Sequence, residues 1–366
     1  MTHSLPVALD DDAIEAFGRE LDAIQREVKA SLGESDRRYI KRAIKVQRGL
    51  AFGGRMMIFA SLPLIPAPPL FIGVIGAGTI ALGLSKILEN MEIGHNVLHG
   101  QWDWMQDPEI HSSTWEWDNV CPADQWKHSH NVVHHTWTNV LGKDRDVGYE
   151  ILRVTEMQRW KPAHLAQPVY NALLAMLFQW GVAMHDVDLG AVKRGQLAEA
   201  RGKLAGIGKK ASRQLLKDYV LWPLLAGPFF LPVVIANAIA NLMRNLWSYA
   251  IIFCGHFPDG AQVFTEQQIE GETRGRWYLR QLLGSCNIEG SPLFHVLSGN
   301  LSHQIEHHLF PDMPSNRYPE IAPRVEAICQ RYGLPYNKGS FARQLGTTMR
   351  TIFRLALPTK RAVLAA

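Results

Sequence analysis

Two long apolar blocks, about 50–88 and 215–256, bracket a polar stretch crowded with histidine and tryptophan. A helix needs about 20 apolar residues to cross the hydrocarbon of a bilayer. The chain is therefore expected to carry membrane spans first and to build any soluble part between and after them. In the first block, Pro66-Ala67-Pro68-Pro69 ends one helix and starts another, which predicts two spans joined by a tight turn. The second block predicts two further short spans with a break near Pro232.

A third apolar stretch, 168–184, has 17 residues and carries Asn171 and Gln179. If the polar clusters before and after it face one compartment, an even number of crossings must separate them. This weakest stretch is therefore expected to lie along the surface. The expectation is an all-α integral-membrane fold of four transmembrane helices, capped by a cytoplasmic helical domain. Residues 1–48 form N-terminal amphipathic helices broken near Gly33 with Ser35 as N-cap, 49–340 the main domain, and 341–366 a C-terminal tail. Both termini are expected in the cytoplasm.

Basic residues gather at Arg37–Arg48 and Lys193–Lys217, the latter with eight Lys or Arg. Beside apolar blocks these read as cytoplasmic flanks. A net charge of +4 is small for 366 residues, so no nucleic-acid partner is expected. Four scattered cysteines with no CxxC pair suggest neither disulfides nor a zinc knuckle. The acidic, polar N-terminus shows no signal peptide.

Most of the 15 histidines fall in three groups: His95 and His99; His130, His134 and His135; and His303, His307 and His308. His256 stands alone at the end of the last expected span. Residues four apart share a helix face, so each spaced pair aims two imidazoles at one point. An adjacent residue is rotated by roughly 100°, so a doublet at a helix end reaches two different ions. Imidazole suits Zn, Cu, Fe and Ni. Eight or nine candidates exceed the three or four protein ligands of one zinc, HExxH is absent, and Glu92-Ile93-Gly94-His95 is the one match to a carboxylate-rich di-iron pattern. Two irons in a nitrogen shell fit best. His3, His111, His164, His185 and His295 are left to ordinary structural roles.

These motifs resemble the membrane fatty acid desaturase family with its three histidine boxes. Trp115-Glu116-Trp117-Asp118, Thr138-Asn139, Asp144 and Asp146, Gly255-His256-Phe257-Pro258, and Gln304 to Pro311 also fit, over about 90–340. The likeness is strongest to the actinobacterial stearoyl-CoA Δ9 branch. It implies O2-dependent desaturation of a long-chain acyl-CoA by a di-iron centre. His95, His99, His130, His134, His135, His256, His307 and His308 carry over as ligands. The ninth position falls on Gln304, with His303 one residue earlier as a substitute. Ile252 departs from relatives that place Asn there, so that detail does not carry over.

No His-Pro-Gly-Gly signature of a fused electron carrier is present, so a separate ferredoxin or NADPH-dependent reductase is the expected donor. Asp103, Asn139, Asp144, Asp146 and Glu306 are candidates to orient the imidazoles. Trp126, Lys127 and Arg145 are candidates for substrate contact, and Trp102, Trp104, Trp115, Trp117 and Trp137 serve either a tunnel mouth or the membrane interface. The rival readings are an acyl-lipid desaturase of other regiochemistry, a fatty-acyl hydroxylase, or a non-catalytic lipid-binding protein that keeps a metal site.

Overall fold

The computed structural model describes residues 8–187, 195 and 197–359. Lys193 and Arg194 of the second basic cluster, and His3, lie outside them. The described chain is mostly helical. A two-stranded parallel sheet, not anticipated from the sequence, pairs Asn287–Glu289 with Lys338–Ser340.

The N-terminal helix Asp11–Ala30 is capped by Asp10, whose side chain accepts from Ala13 N at 2.8 Å. The second helix runs unbroken for 28 residues, Glu34–Ser61. Its N-cap is Gly33, not Ser35; the Asp36 carboxylate at the third helical position reaches back to accept from the Gly33 N–H at 3.0 Å. Because Glu34–Ser61 has no break, the amphipathic segment feeds directly into the first apolar block.

After a short 3₁₀ turn at Leu62–Leu64, helix Pro68–Leu88 starts with two prolines in its first turn, where their missing N–H groups cost nothing. The two helices touch at glycines. A Cβ on Gly54 would lie 2.8 Å from Gly78 O, and one on Gly78 would lie 2.8 Å from Gly54 O. Backbones approach this closely only where both residues lack side chains, as in helix pairs packed within lipid.

Two helical runs, Pro68–Leu98 and Gly227–His256, are long and apolar enough to cross a membrane. The break in the second block falls at Gly227–Phe229 rather than at Pro232, which sits in the first turn of Phe230–His256 and is tolerated there. Helices Gln167–Met176 and Phe178–Met184 have 10 and 7 residues, too short to span. Phe52, Met56, Ile72, Ile80, Leu224, Leu225, Phe230, Leu231 and Ile235 are exposed on the apolar helices. Exposed apolar surface of this extent marks an interaction site, here one suited to lipid.

A charged knot ties these helices together. Lys86 Nζ lies 2.9 Å from Asp218 and 3.1 Å from Asp118, while Arg55 meets Asp218 at 3.3 Å and Asn237 Nδ2 donates to Asp218 O at 2.6 Å. Buried charge is stable only when paired in this way. A separate apolar core joins Asp11–Ala30, Arg274–Leu283 and Tyr318–Arg331 through Phe17, Leu21, Tyr278, Ile321 and Val325.

Candidate metal centre

The histidines sit where the helices change their winding. Residues Glu89–His95 and Lys127–His134 are π-helical rather than α-helical. A π-turn closes i→i+5 hydrogen bonds, giving about 4.4 residues per turn; the His135 N–H donates to His130 O in this pattern. On an α-helix, residue i+4 lies about 40° from residue i and i+5 roughly 140° away. On a π-helix the two fall on either side of residue i, at about 30° and 50°. The π-turn therefore brings both members of the His134-His135 doublet to the side that His130 faces. Rings 130 and 134 stack at 5.0 Å, and rings 130 and 135 meet edge-on at 4.9 Å.

Tertiary packing then closes the set. His95, His99, His130 and His307 place their ligand atoms within 4.8 Å of one another, and so do His134, His256 and His308. His135 joins the two groups, 4.8 Å from the His307 ring and 4.5 Å from that of His308. The closest approaches are His95 Nε2 to His130 Nε2 at 3.3 Å and His256 Nε2 to His308 Nε2 at 3.2 Å.

These residues fit a metal pair. Nε2 of His99, His134, His135 and His307, with Oε1 of Gln304, are buried without a hydrogen-bond partner. Each such atom costs about 1–3 kcal/mol unless something satisfies it. Burial, reinforced by neighbouring imidazoles, pushes His99, His130, His135, His307 and His308 well below the ordinary imidazole range. They are held neutral, the form that donates a lone pair. His134 differs: burial opposes its charge, but Asp144 and Asp146 outweigh burial and raise it to about 9.

The outer nitrogens have partners that fix ring orientation. His134 Nδ1 lies 3.0 Å from Asp144 and 3.5 Å from Asp146. Asn139, in the left-handed region at φ 57°, donates its backbone N–H to Asp144 at 2.8 Å. The sequence reading missed three more. Asn96 Oδ1 holds His95 Nδ1 at 3.0 Å, Gln281 Oε1 holds His308 Nδ1 at 3.0 Å, and Tyr318 OH meets His307 Nδ1 at 3.3 Å. Asn96 was adjacent to a ligand and open to inference; Gln281 and Tyr318 come from remote segments with no local signal.

Other expected residues lie elsewhere. His303 is not brought to the cluster: its ring packs on His295 at 4.6 Å, while Gln304 Nε2 stands 3.0 Å from His256 Nε2. Asp103 instead accepts from Ser112 N and Oγ at 2.8 and 2.6 Å. Glu306 accepts from Asn287 and Tyr336, both at 2.8 Å. Glu92 faces Tyr39, Asn300 and Ser315, away from the imidazoles. Lys127 Nζ donates to Ser112 O.

Beside His95 and His130 opens a cavity whose apolar wall comprises Met91, Trp117, Trp126, Phe178, Val182 and Ile252. Trp126 stacks on His130 at 4.5 Å. Trp102 is fully buried against Tyr39, and Trp104 and Trp115 lie off this cavity. Arg145 and Trp137 line a second cavity, bordered mainly by polar and charged residues.

The fatty acid desaturase family model matches residues 70–340. The chain is 50% identical over 358 residues to an NADPH-dependent stearoyl-CoA 9-desaturase of Mycobacterium tuberculosis, covering 96% of this chain and 82% of that one. It is 29% identical over 238 residues to an acyl-lipid (7-3)-desaturase of Rebecca salina, covering 63% and 53% respectively. An sn-1 linoleoyl-lipid 6-desaturase of Synechocystis is 24% identical over 300 residues, 77% of this chain and 80% of that protein.

Proposed function

Because the chain belongs to the fatty acid desaturase family, we propose that it desaturates stearoyl-CoA at the 9,10 position, using two irons, O2 and electrons from a separate NADPH-dependent donor. The observation that carries this reading is the meeting of eight imidazoles from four remote segments around two adjoining points. The activity for which the mycobacterial relative is named supplies the substrate and the nature of the reductant.

His95, His99, His130 and His307 would hold one iron, and His134, His256 and His308 the other, with His135 between them and Gln304 beside His256. When bound, the irons supply the O2-dependent oxidation that removes two hydrogens from adjacent methylenes. The protein's part is placement. Trp126, Phe178, Val182 and Ile252 give the saturated chain a dry wall beside His95 and His130, which fixes which carbons are presented. Asn96, Asp144, Gln281 and Tyr318 keep the imidazoles from turning. The net change is CH2–CH2 plus O2, two electrons and two protons to CH=CH plus two waters.

We assign four spans to the apolar helices, with both termini and all histidine clusters on the cytoplasmic side. Their exposed apolar faces support a lipid setting for these helices. The test is expression with a competent reductase in a host of defined lipids, followed by mass spectrometry. A new 9,10 double bond with two irons per chain is expected. An oxygenated product, or an unchanged lipid profile at full iron loading, overturns the assignment.

A further inference from the structure

The apolar cavity beside His95 and His130 adjoins a second cavity, lined by His128, Lys143, Arg145, Asp186, Glu199 and Lys203. Ser129 and His185 line both. Ser129 Oγ is engaged, donating to Trp126 O at 3.3 Å. His185 is not fully engaged. Its Nδ1 lies 2.8 Å from Asp146 Oδ1 and its ring stacks on Tyr149 at 4.4 Å, while Nε2 is buried without a partner.

A carboxylate accepts, so Nδ1 carries a proton, and in the neutral imidazole Nε2 then presents a lone pair. A buried acceptor at the junction of an apolar and a polar cavity wants a donor from a ligand that spans both. With the acyl chain in the apolar cavity, the junction meets the atoms just beyond the carbonyl. In a pantetheine thioester an amide N–H lies two methylenes past the sulfur. A free fatty acid or a glycerolipid ester offers no donor there.

We propose that His185 Nε2 accepts this amide N–H and so makes the enzyme select pantetheine thioesters. The assignment rests on the acyl-CoA function above and deepens it. Asp146 is the positioning residue, since it fixes the tautomer of His185.

Binding tests it without turnover, by displacing radiolabelled stearoyl-CoA from metal-loaded protein in detergent. The competitors are S-stearoyl-N-acetylcysteamine and the S-pentyl thioester of stearic acid, which lacks the amide. The preference for the amide-bearing competitor should fall about fivefold in His185→Leu, the size of one net hydrogen bond. It should stay within about twofold of wild type in His185→Gln, which keeps an acceptor oxygen. Stearoyl-CoA and stearoyl-acyl carrier protein, run in parallel, tell which carrier brings the arm. If His185→Leu loses its metal, His185→Phe replaces it, keeping the stack on Tyr149 without an acceptor. An unchanged preference in the variant that holds metal overturns the proposal. Binding with the expected preference but no desaturation overturns the proposed reaction instead and leaves this assignment standing.

Discussion

Gln304 places its Nε2 3.0 Å from His256 Nε2, while the neighbouring His303 packs its ring against His295. Gly255 makes room for this: a Cβ there would come within 2.8 Å of Gln304 Cγ. His303→Ala should therefore leave the metal content at two per chain. Gln304→Ala should weaken the metal on the His256 side by about 10- to 100-fold. Metal analysis after graded chelation checks both, and loss of metal from His303→Ala alone reverses the assignment.

Asp144 is buried and accepts from both His134 and the Asn139 N–H. Asp144→Ala frees the His134 ring to rotate and leaves its Nδ1 unpaired. Activity should drop by about 10- to 100-fold, with the loss concentrated in metal affinity. Excess iron should then restore part of the rate; failure of any rescue would place the role of Asp144 elsewhere.

Gly54 and Gly78 bring two helices into backbone contact. Gly78→Val drives two methyls into the facing carbonyl and pushes the helices apart. A loss of about 1–3 kcal/mol is expected, the usual cost of overpacking, visible as a lower melting temperature in detergent. Gly73→Val, at a position with nothing within 4 Å, serves as the control and should melt like wild type.

Arg317 grips Asp36 with two hydrogen bonds of 2.6 and 2.7 Å, tying the start of Glu34–Ser61 to the segment after the third histidine group. Burial works against the Asp36 carboxylate, but Arg317, Asn316 and Gly33 outweigh it and hold its pKa below the ordinary value. A carboxyl with a depressed folded pKa stabilises above its unfolded pKa of about 3.9 and loses that stabilisation as pH falls through the folded value. Asp36→Asn should therefore melt below wild type from pH 5 upward, and the gap should begin to narrow below about pH 4 and close once pH falls beneath the depressed folded value. A gap that persists in acid would mean that shape, not charge, makes the contact.

Val182 lines the same cavity as His95. Val182→Phe removes volume from the cavity and should shift the products toward shorter acyl chains, read by gas chromatography. An unchanged chain-length profile would place the acyl chain outside this cavity.

Much of the fold and site was legible in the residues themselves. Apolar block length, the Pro66–Pro69 punctuation and the i,i+4 histidine spacings are local properties, and local geometry follows from local sequence. The spacing even implied that His95 and His99 share a face. It assumed α-helical winding, however, whereas the π-turn at Lys127–His134 is what turns His135 inward beside His134. Winding of that kind depends on what packs against the helix, so the sequence alone could not reveal it.

The residues alone determined that this chain would carry clustered imidazoles between apolar helices, because ligand type and short-range spacing are written directly in the order of side chains. Only the tertiary structure decided that Gln304 rather than His303 reaches the cluster, that Gln281 and Tyr318 steady His308 and His307, and that His185 sits between two cavities. Those partners are joined across 27, 11 and 48 residues, and contacts between chain segments are set by how whole helices pack, which no local spacing encodes.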